Sequence, residues 1–285
     1  MPPLWFAATR FLAAGVILLA VSRRFGGWKW ICLADFLRLT LMSAGAISVC
    51  FGLIFWGEQY VAAGISGVIV QGFVPVGLFF FAAIMGRAET RWRQWLSVLI
   101  GVGGVLLLAG HASSGWTSKQ LLSIIGIVIG TLVYDWAGVY GGPTISRYPA
   151  ALMSAFENLV GGVILLIAAW IFERKDILNS PLPTHVSTWI SWIYLVIVGS
   201  VLGFTAYTYL LRAWGPTRTS AYAFVTPVIA LLSGVAVTGE SIGWTDIVGT
   251  VLVIGAAAGV AHRPRHDKRA KIAPLSVSRV DSSSP

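Results

Sequence analysis

The chain has 285 residues, of which 56% are hydrophobic and only 11% are charged, with a net charge of +9. So much apolar surface excludes an ordinary water-soluble domain, because a single core could not bury it. The basic residues lie between apolar segments and in the C-terminal tail rather than on one face, so nucleic-acid binding is not predicted. The cysteines, Cys32 and Cys50, have no metal-binding or disulfide spacing, and no metal site is expected.

Apolar segments fill the chain almost from end to end, and each is about as long as the 20 residues that a helix needs to cross a bilayer. Nine such segments are predicted, at residues 4–22, 37–57, 61–85, 92–110, 121–141, 149–172, 188–211, 217–237 and 243–262. The fold class is therefore an all-α polytopic membrane protein surrounded by a lipid bilayer.

The charge of the connections alternates along the chain, which predicts the orientation of the helices. The basic connections carry Arg23, Arg24, Lys29, Arg87, Arg91, Arg93, Arg147, Arg212 and Arg218. Because basic loops remain in the cytoplasm, these connections and the basic, disordered tail 263–285 are expected on the inner side of the plasma (bacterial inner) membrane. The connections with Glu58, Lys119, Glu173 and Glu240, and the start of the first helix, are expected outside.

The second half of the chain repeats the first. Residues 2–19 and 149–166 align without gaps at a separation of 147 residues, and a second register of 152 residues pairs Ser48 with Ser200 and Trp92 with Trp244. Repeats of several helices are typical of secondary transporters. The predicted units are residues 1–110, with four helices, and residues 121–262, with five. The mate of helix 121–141 would precede Met1, so we expect a ten-helix inverted repeat of which the first helix is missing here, either because the gene starts upstream or because the helix was lost.

Several short motifs occur in a specific order over the whole chain except the tail. They are Arg10-Phe11, Trp136-Ala137, Gly215-Pro216-Thr217 before a helix with Pro227 in its middle, Gly239-Glu240, and a glycine-rich last span. With these motifs the chain resembles the EamA branch of the drug/metabolite transporter (DMT) superfamily. The resemblance implies ten helices around a central cavity and movement of small metabolites, often outward. The first repeat departs from the family in reading Gly86-Arg87-Ala88-Glu89 where Gly-Glu is usual.

Two prolines lie in the middle of predicted spans and correspond in the 152-residue register, namely Pro75 and Pro227. A proline removes a backbone hydrogen bond and kinks a helix, and the freed carbonyls can line a cavity or a hinge. Their repetition favours a role in the cavity or its gating over a static kink.

The ionisable residues deepest inside spans are Arg10, Asp135 and Glu157, and charge at such depth indicates function by default. At 1.5 Å per residue, Asp135 lies roughly 21 Å below the outer boundary and Glu157 roughly 12 Å above the inner one, which brings them nearly level. A shared proton between two close carboxyl groups would suit proton coupling. Structural alternatives are that Arg10 extends outward, that Asp135 hydrogen-bonds locally and that Glu157 pairs with a cytoplasmic arginine.

Further aromatic and polar side chains lie away from the span ends: Gln71, Tyr134, Trp136, Tyr207, Tyr222 and Thr226. Aromatic walls with a few polar groups make a site for a small amphipathic substrate, although core packing is the alternative for each residue. Two GxxxG motifs, Gly126 to Gly130 and Gly255 to Gly259, favour close packing within one chain over a homodimer.

The motifs that resemble those of enzymes do not form a catalytic site. Ser66, in a GxSG motif, is expected near the outer end of its helix and His262 at the inner end of another, too far apart for a nucleophile and its base. No Walker loop appears, so neither ATP coupling nor any cofactor is predicted. The sequence thus predicts a secondary transporter that exports a small organic metabolite or drug-like compound. The alternatives are a membrane scaffold or regulatory protein without transport, and a lipid or sugar-phosphate transporter of the same fold.

Overall fold

The protein is described by a computed structural model that covers residues 2–24, 29–61, 63–87, 92–110, 117–179, 185–214 and 244–261. These residues form helices joined by short connections, which confirms the all-α polytopic fold. In chain order the helices are α1 (Pro3–Arg24), α2 (Leu33–Gly57), α3 (Ala63–Ile84), α4 (Trp92–Gly110), α5 (Ser118–Ile145), α6 (Ala150–Phe172), the short α7 (Arg174–Asn179), α8 (Val186–Trp214) and α9 (Trp244–Ala261).

Within the described residues, five helices are long and apolar enough to cross a membrane: α1, α2, α5, α6 and α8. Helices α3 and α4, and α9 near the end of the chain, occupy three more of the predicted spans. The predicted span 217–237 lies outside the described residues.

Helices α1 and α6 cross at glycines that correspond in the 147-residue register. A Cβ atom added to Gly15 would lie 2.9 Å from the backbone nitrogen of Leu159, and one added to Gly162 would lie 3.1 Å from the backbone nitrogen of Leu12. Gly15 and Gly162 are register mates, as are Leu12 and Leu159. The contact is therefore reciprocal, as a pseudo-two-fold axis between the helices requires. Glycine lets the two backbones approach this closely.

Two helices contain a π-helical segment in their middle. The segment in α2 spans Ala44–Val49 and the one in α8 spans Leu195–Leu202. They overlap in the 152-residue register, since residues 44–49 map onto 196–201. π-Helical turns are rare and frequently occur at functional sites. The repeat thus carries a matched backbone irregularity that the proline-based hypothesis did not foresee.

Polar contacts join the two halves at both ends of the helices. At one end, Arg147 Nη1 donates to both Asp35 carboxylate oxygens at 3.0 and 3.1 Å, and the Tyr148 hydroxyl donates to Asp35 Oδ2 at 2.8 Å. Lys29 Nζ donates to the Arg147 carbonyl oxygen at 2.9 Å. We call this group the basic-end cluster. Lys29 and Arg147 belong to connections that the charge pattern places on one side of the membrane, and here they touch.

At the opposite end, Glu173 binds the first turn of α1. The backbone N–H groups of Leu4 and Trp5 each donate to one Glu173 carboxylate oxygen at 3.0 Å. A carboxylate is stabilised there because the first N–H groups of a helix have no partner within the helix and carry partial positive charge. The start of α1 and the end of α6 therefore lie together, as the alternating charge pattern predicts.

Candidate functional site

A cavity of about 480 Å³ lies between α2, α3, α5 and α8. Its size is within the range of sites that take small organic molecules. Apolar and aromatic side chains dominate the walls. The lining residues are Cys50, Phe51, Ile54, Val70, Gln71, Val74, Thr131, Tyr134, Gly199, Gly203, Phe204, Ala206, Tyr207 and Leu210.

The π-helical segment of α8 borders this cavity, and so does the part of α2 that directly follows its own π-helical segment. Gly199 belongs to the segment in α8, and Gly203 follows it directly. Phe51 lies two residues after the segment in α2. Phe51 and Gly203 are mates in the 152-residue register, and so are Ile54 and Ala206. The two repeats thus contribute corresponding positions to the cavity, and at these two positions α2 supplies a large side chain and α8 a small residue.

The polar groups of the cavity are few and spaced apart. Gln71 Oε1 is buried and accepts no hydrogen bond from the described part of the chain. The Thr131 hydroxyl donates to the Ile127 carbonyl oxygen at 2.8 Å, so it has no proton left to donate to a ligand in this geometry. The rings of Tyr134 and Tyr207 lie against each other with centroids 5.5 Å apart. Gln71 is therefore an acceptor available to a bound molecule.

Glu157 lies behind the two tyrosines. It lines a separate void of about 10 Å³, with room for about one water molecule. Tyr134 and Tyr207 line this void as well as the large cavity, so they form the partition between Glu157 and the cavity.

Asp135 faces a different helix. Its side chain is fully buried, and neither carboxylate oxygen has a hydrogen-bond partner within the described ranges. It packs against α3, where a Cβ atom added to Gly77 would overlap Asp135 Oδ2. Asp135 and Glu157 are therefore not hydrogen-bonded to each other, and this structure does not hold a proton shared between them.

Arg10 lies outside the cavity lining but next to it. Its guanidinium carbon is 4.4 Å from the ring centroid of Phe11, 5.3 Å from that of Phe51 and 5.2 Å from that of Phe55. Glu58, just beyond the end of α2, is the acid whose charge acts on Arg10. Burial raises the pKa of Glu58, and the positive charge of Arg10 opposes that rise.

The remaining predicted site residues divide into two groups. Pro75 lies inside α3, which is helical from Ala63 to Ile84, and Trp136 stacks on Tyr140 at 5.2 Å, away from the cavity lining. Tyr222, Thr226 and Pro227 lie outside the described residues. Sequence reasoning missed Cys50, Phe51 and Phe204. The 152-residue register around Ser48 and Ser200 was the signal that could have found this region.

These features define a polytopic helical membrane protein with a mostly apolar cavity between its helices. The EamA-like transporter family matches residues 1–110 and 121–261, and the chain belongs to this family. It is 34% identical over 243 residues to the uncharacterized inner membrane transporter YedA of Escherichia coli K12. The aligned region covers 85% of this chain and 76% of that protein. Membership classes it with transporters rather than enzymes.

Other relatives are more distant. Protein PecM of Dickeya dadantii is 26% identical over 290 residues, covering 97% of this chain and 89% of that protein. The uncharacterized transporter YvbV of Bacillus subtilis is 24% identical over 289 residues, covering 95% and 86%. A solved crystal structure matches with a TM-score of 0.72 at 17% identity, covering 91% of this chain and 89% of that one. That structural likeness shows the fold alone.

Proposed function

We propose that the protein is a secondary transporter that exports a small organic molecule across the plasma membrane and binds it in the 480 Å³ cavity. The observation that carries the proposal is the cavity itself, since a polar pore for ions would not have such apolar and aromatic walls. Export is the direction that the resemblance to the DMT superfamily implies. The tail 263–285 is proposed to lie in the cytoplasm.

The walls define the kind of substrate. Phe51, Phe204 and the two tyrosines offer aromatic surface, and Gln71 offers one hydrogen-bond acceptor. Such a combination suits an amphipathic molecule with an apolar body and one or two polar groups. The described lining contains no lysine or arginine, which disfavours a site that binds a sugar phosphate directly on the cavity wall.

Filling the cavity tests the proposal. Ala206 lines the cavity, whereas Ala213 on the same helix does not. The ligand for this test is a compound that raises the melting temperature of the purified protein, because a molecule that binds the folded state stabilises it. Flux of that compound into proteoliposomes should fall by about tenfold in Ala206→Phe, if filling costs about 1.4 kcal/mol of binding, and should be unchanged in Ala213→Phe. Equal flux in both variants would contradict the site.

A scaffold or regulatory protein is the competing function. It predicts that the correctly folded chain moves none of the compounds that bind it. Binding without flux, in vesicles where a known transporter is active, would favour this alternative.

Asp135 favours proton coupling as a second part of the proposal. A wholly buried carboxyl group without a partner in the described structure is costly when charged, so binding and releasing a proton is a natural use for it. Flux through Asp135→Asn should no longer respond to an imposed pH gradient. Glu157→Gln tests whether the second carboxyl group contributes. An unchanged gradient response in both variants would assign these residues to structure.

A further inference from the structure

Arg10 is a buried cation to which none of the described residues offers a hydrogen-bond acceptor. It is only 6% exposed, and it donates no hydrogen bond to any residue that the structure describes. Its Nε atom is buried without a partner. The guanidinium is instead surrounded by Phe11, Phe51 and Phe55, which we call the phenylalanine box.

The phenylalanine box does not replace an acceptor. A guanidinium has five N–H donors in one plane, and ring faces attract its charge without accepting those hydrogen bonds at full strength. A buried charge with unsatisfied donors is costly, so its presence inside a membrane span indicates a role. The planar fork of N–H groups matches a carboxylate, which accepts two of them in parallel.

The acids near α1 do not serve as the carboxylate partner of the Arg10 guanidinium. Glu58 acts on Arg10 through its charge. The two side chains form no ion pair within the described structure, in contrast to Arg147 and Asp35. Glu173 is already bound to the backbone N–H groups of Leu4 and Trp5.

The phenylalanine box adjoins the cavity through one side chain. Phe51 is a wall of the 480 Å³ cavity and also lies against the Arg10 guanidinium. It packs edge to face on Phe11, with ring centroids 4.9 Å apart, and lies 5.9 Å from Phe204, another cavity residue. Phe51 therefore borders both the cavity and the Arg10 guanidinium.

We propose that Arg10 binds the carboxylate of a small organic acid whose apolar body occupies the cavity. The proposal rests on the proposed transport function and specifies its substrate as a monoanion. A single guanidinium carries one positive charge, which suits a single negative charge better than a phosphate dianion. Aromatic walls at Phe204, Tyr134 and Tyr207 suit an aromatic acid.

The test compares three probes of similar shape: phenylacetate, its neutral amide phenylacetamide, and phenyl phosphate. Melting temperatures of the purified full chain in detergent, measured over a range of probe concentrations, give apparent affinities. We expect phenylacetate to bind most tightly. Arg10→Gln should weaken its binding by about tenfold or more, which corresponds to at least about 1.4 kcal/mol. Arg212→Gln, which changes an exposed arginine in the last turn of α8, is the matched control and should bind like the parent.

Arg10→Lys is the second variant, in case Arg10→Gln does not fold. It keeps the positive charge in the phenylalanine box but loses the bidentate fork, so phenylacetate binding should weaken while the fold is retained. Equal binding of phenylacetate by the parent and by a folded Arg10 variant would overturn the proposal. So would the absence of phenylacetate binding to the parent, or tighter binding of phenyl phosphate.

Flux separates this proposal from the proposed function. Movement of a neutral compound by a protein whose Arg10 variants bind phenylacetate unchanged would leave transport intact and reject the carboxylate site. Arg10-dependent binding of phenylacetate without flux of any compound would support the carboxylate site and reject the proposed transport function.

Discussion

Buried ionisable side chains in this protein differ in whether the chain itself satisfies them. Asp35 is 4% exposed and accepts hydrogen bonds from Arg147 and Tyr148. Asp135 and Arg10 are buried to a similar degree, but the described residues give neither of them a hydrogen bond. A satisfied buried carboxylate contributes to the fold, whereas an unsatisfied one lowers stability unless a proton or ligand compensates for it. The basic-end cluster is thus structural, and Asp135 and Arg10 are the residues to test for function.

The hydrogen bond between Tyr148 and Asp35 should make stability depend on alkaline pH. Because the Tyr148 hydroxyl donates to the Asp35 carboxylate, the pKa of Tyr148 is raised above its usual value of 10.0. A raised pKa in the folded state contributes stability that is fully present below the unfolded value and lost as pH rises through the folded value. At neutral pH, Tyr148→Phe should lower the free energy of unfolding by about 1.5–3 kcal/mol, typical of a hydrogen bond to a charged group.

Melting curves of the purified protein between neutral pH and a pH of about 11 provide the measurement. The difference between parent and Tyr148→Phe should shrink above a pH of about 10. Tyr140→Phe is the control, since the Tyr140 ring stacks on Trp136 but its hydroxyl makes no hydrogen bond to the described residues. A difference that stays constant with pH would contradict the assigned hydrogen bond.

At the scale of helices, the matched π-helical segments of α2 and α8 are the main departure from regular structure. Each contains a serine at the same place in the 152-residue register. Ser48 Oγ donates to the carbonyl oxygen of Gly161 on α6 at 2.9 Å. Ser200 Oγ is buried and has no partner in the part of the chain that the structure describes. The two halves are therefore alike in backbone and different in how the serine is used.

Removing each hydroxyl should reveal this difference. Ser48→Ala deletes the hydrogen bond to α6 and leaves the Gly161 carbonyl with one acceptor position unfilled, so it should destabilise the protein by about 1 kcal/mol. Ser200→Ala removes an unsatisfied buried hydroxyl and should leave stability equal or slightly higher. The melting temperatures of the two variants, which differ from the parent by the same atom, provide the comparison. A larger loss in Ser200→Ala would reverse the assignment.

For the whole molecule, contacts at the two ends agree with the alternating charge pattern. Lys29 meets Arg147 at one end. At the other, Glu173 binds the start of α1, and Lys119 Nζ lies 5.6 Å from the ring centroid of Tyr60 in the connection that carries Glu58. Each contact joins segments that the charge pattern had placed on the same side of the membrane.

The orientation itself is a prediction from the basic residues. A green fluorescent protein fused after Pro285 should fluoresce in cells, and an alkaline phosphatase fused at the same point should be inactive, because that enzyme folds only outside the cytoplasm. A phosphatase fused after Asn179, in a connection predicted to lie outside, should be active. The opposite pattern at the two positions would invert the topology.

The sequence by itself determined the class of protein, the helices of the described ranges and the relative placement of those connections that touch in the structure. Span length, apolar composition and loop charge are local properties, and they decide which segments cross the bilayer and which connections stay on its cytoplasmic side. The 147-residue register pairs Gly15 with Gly162, and these two glycines lie where α1 and α6 cross. Of the predicted site residues, Gln71, Tyr134 and Tyr207 line the cavity, because polar and aromatic side chains at that depth have few other places in lipid.

Only the tertiary structure decided which way side chains face. Counting residues from a span end gives the depth of a side chain but not its direction around the helix axis, so Asp135 and Glu157 could be placed level without being neighbours. Asp135 faces Gly77 on α3, and Glu157 faces the void behind Tyr207. The π-helical segments, the pairing of Asp35 with Arg147 and the phenylalanine box around Arg10 likewise depend on how distant helices pack, which no local pattern in the sequence encodes.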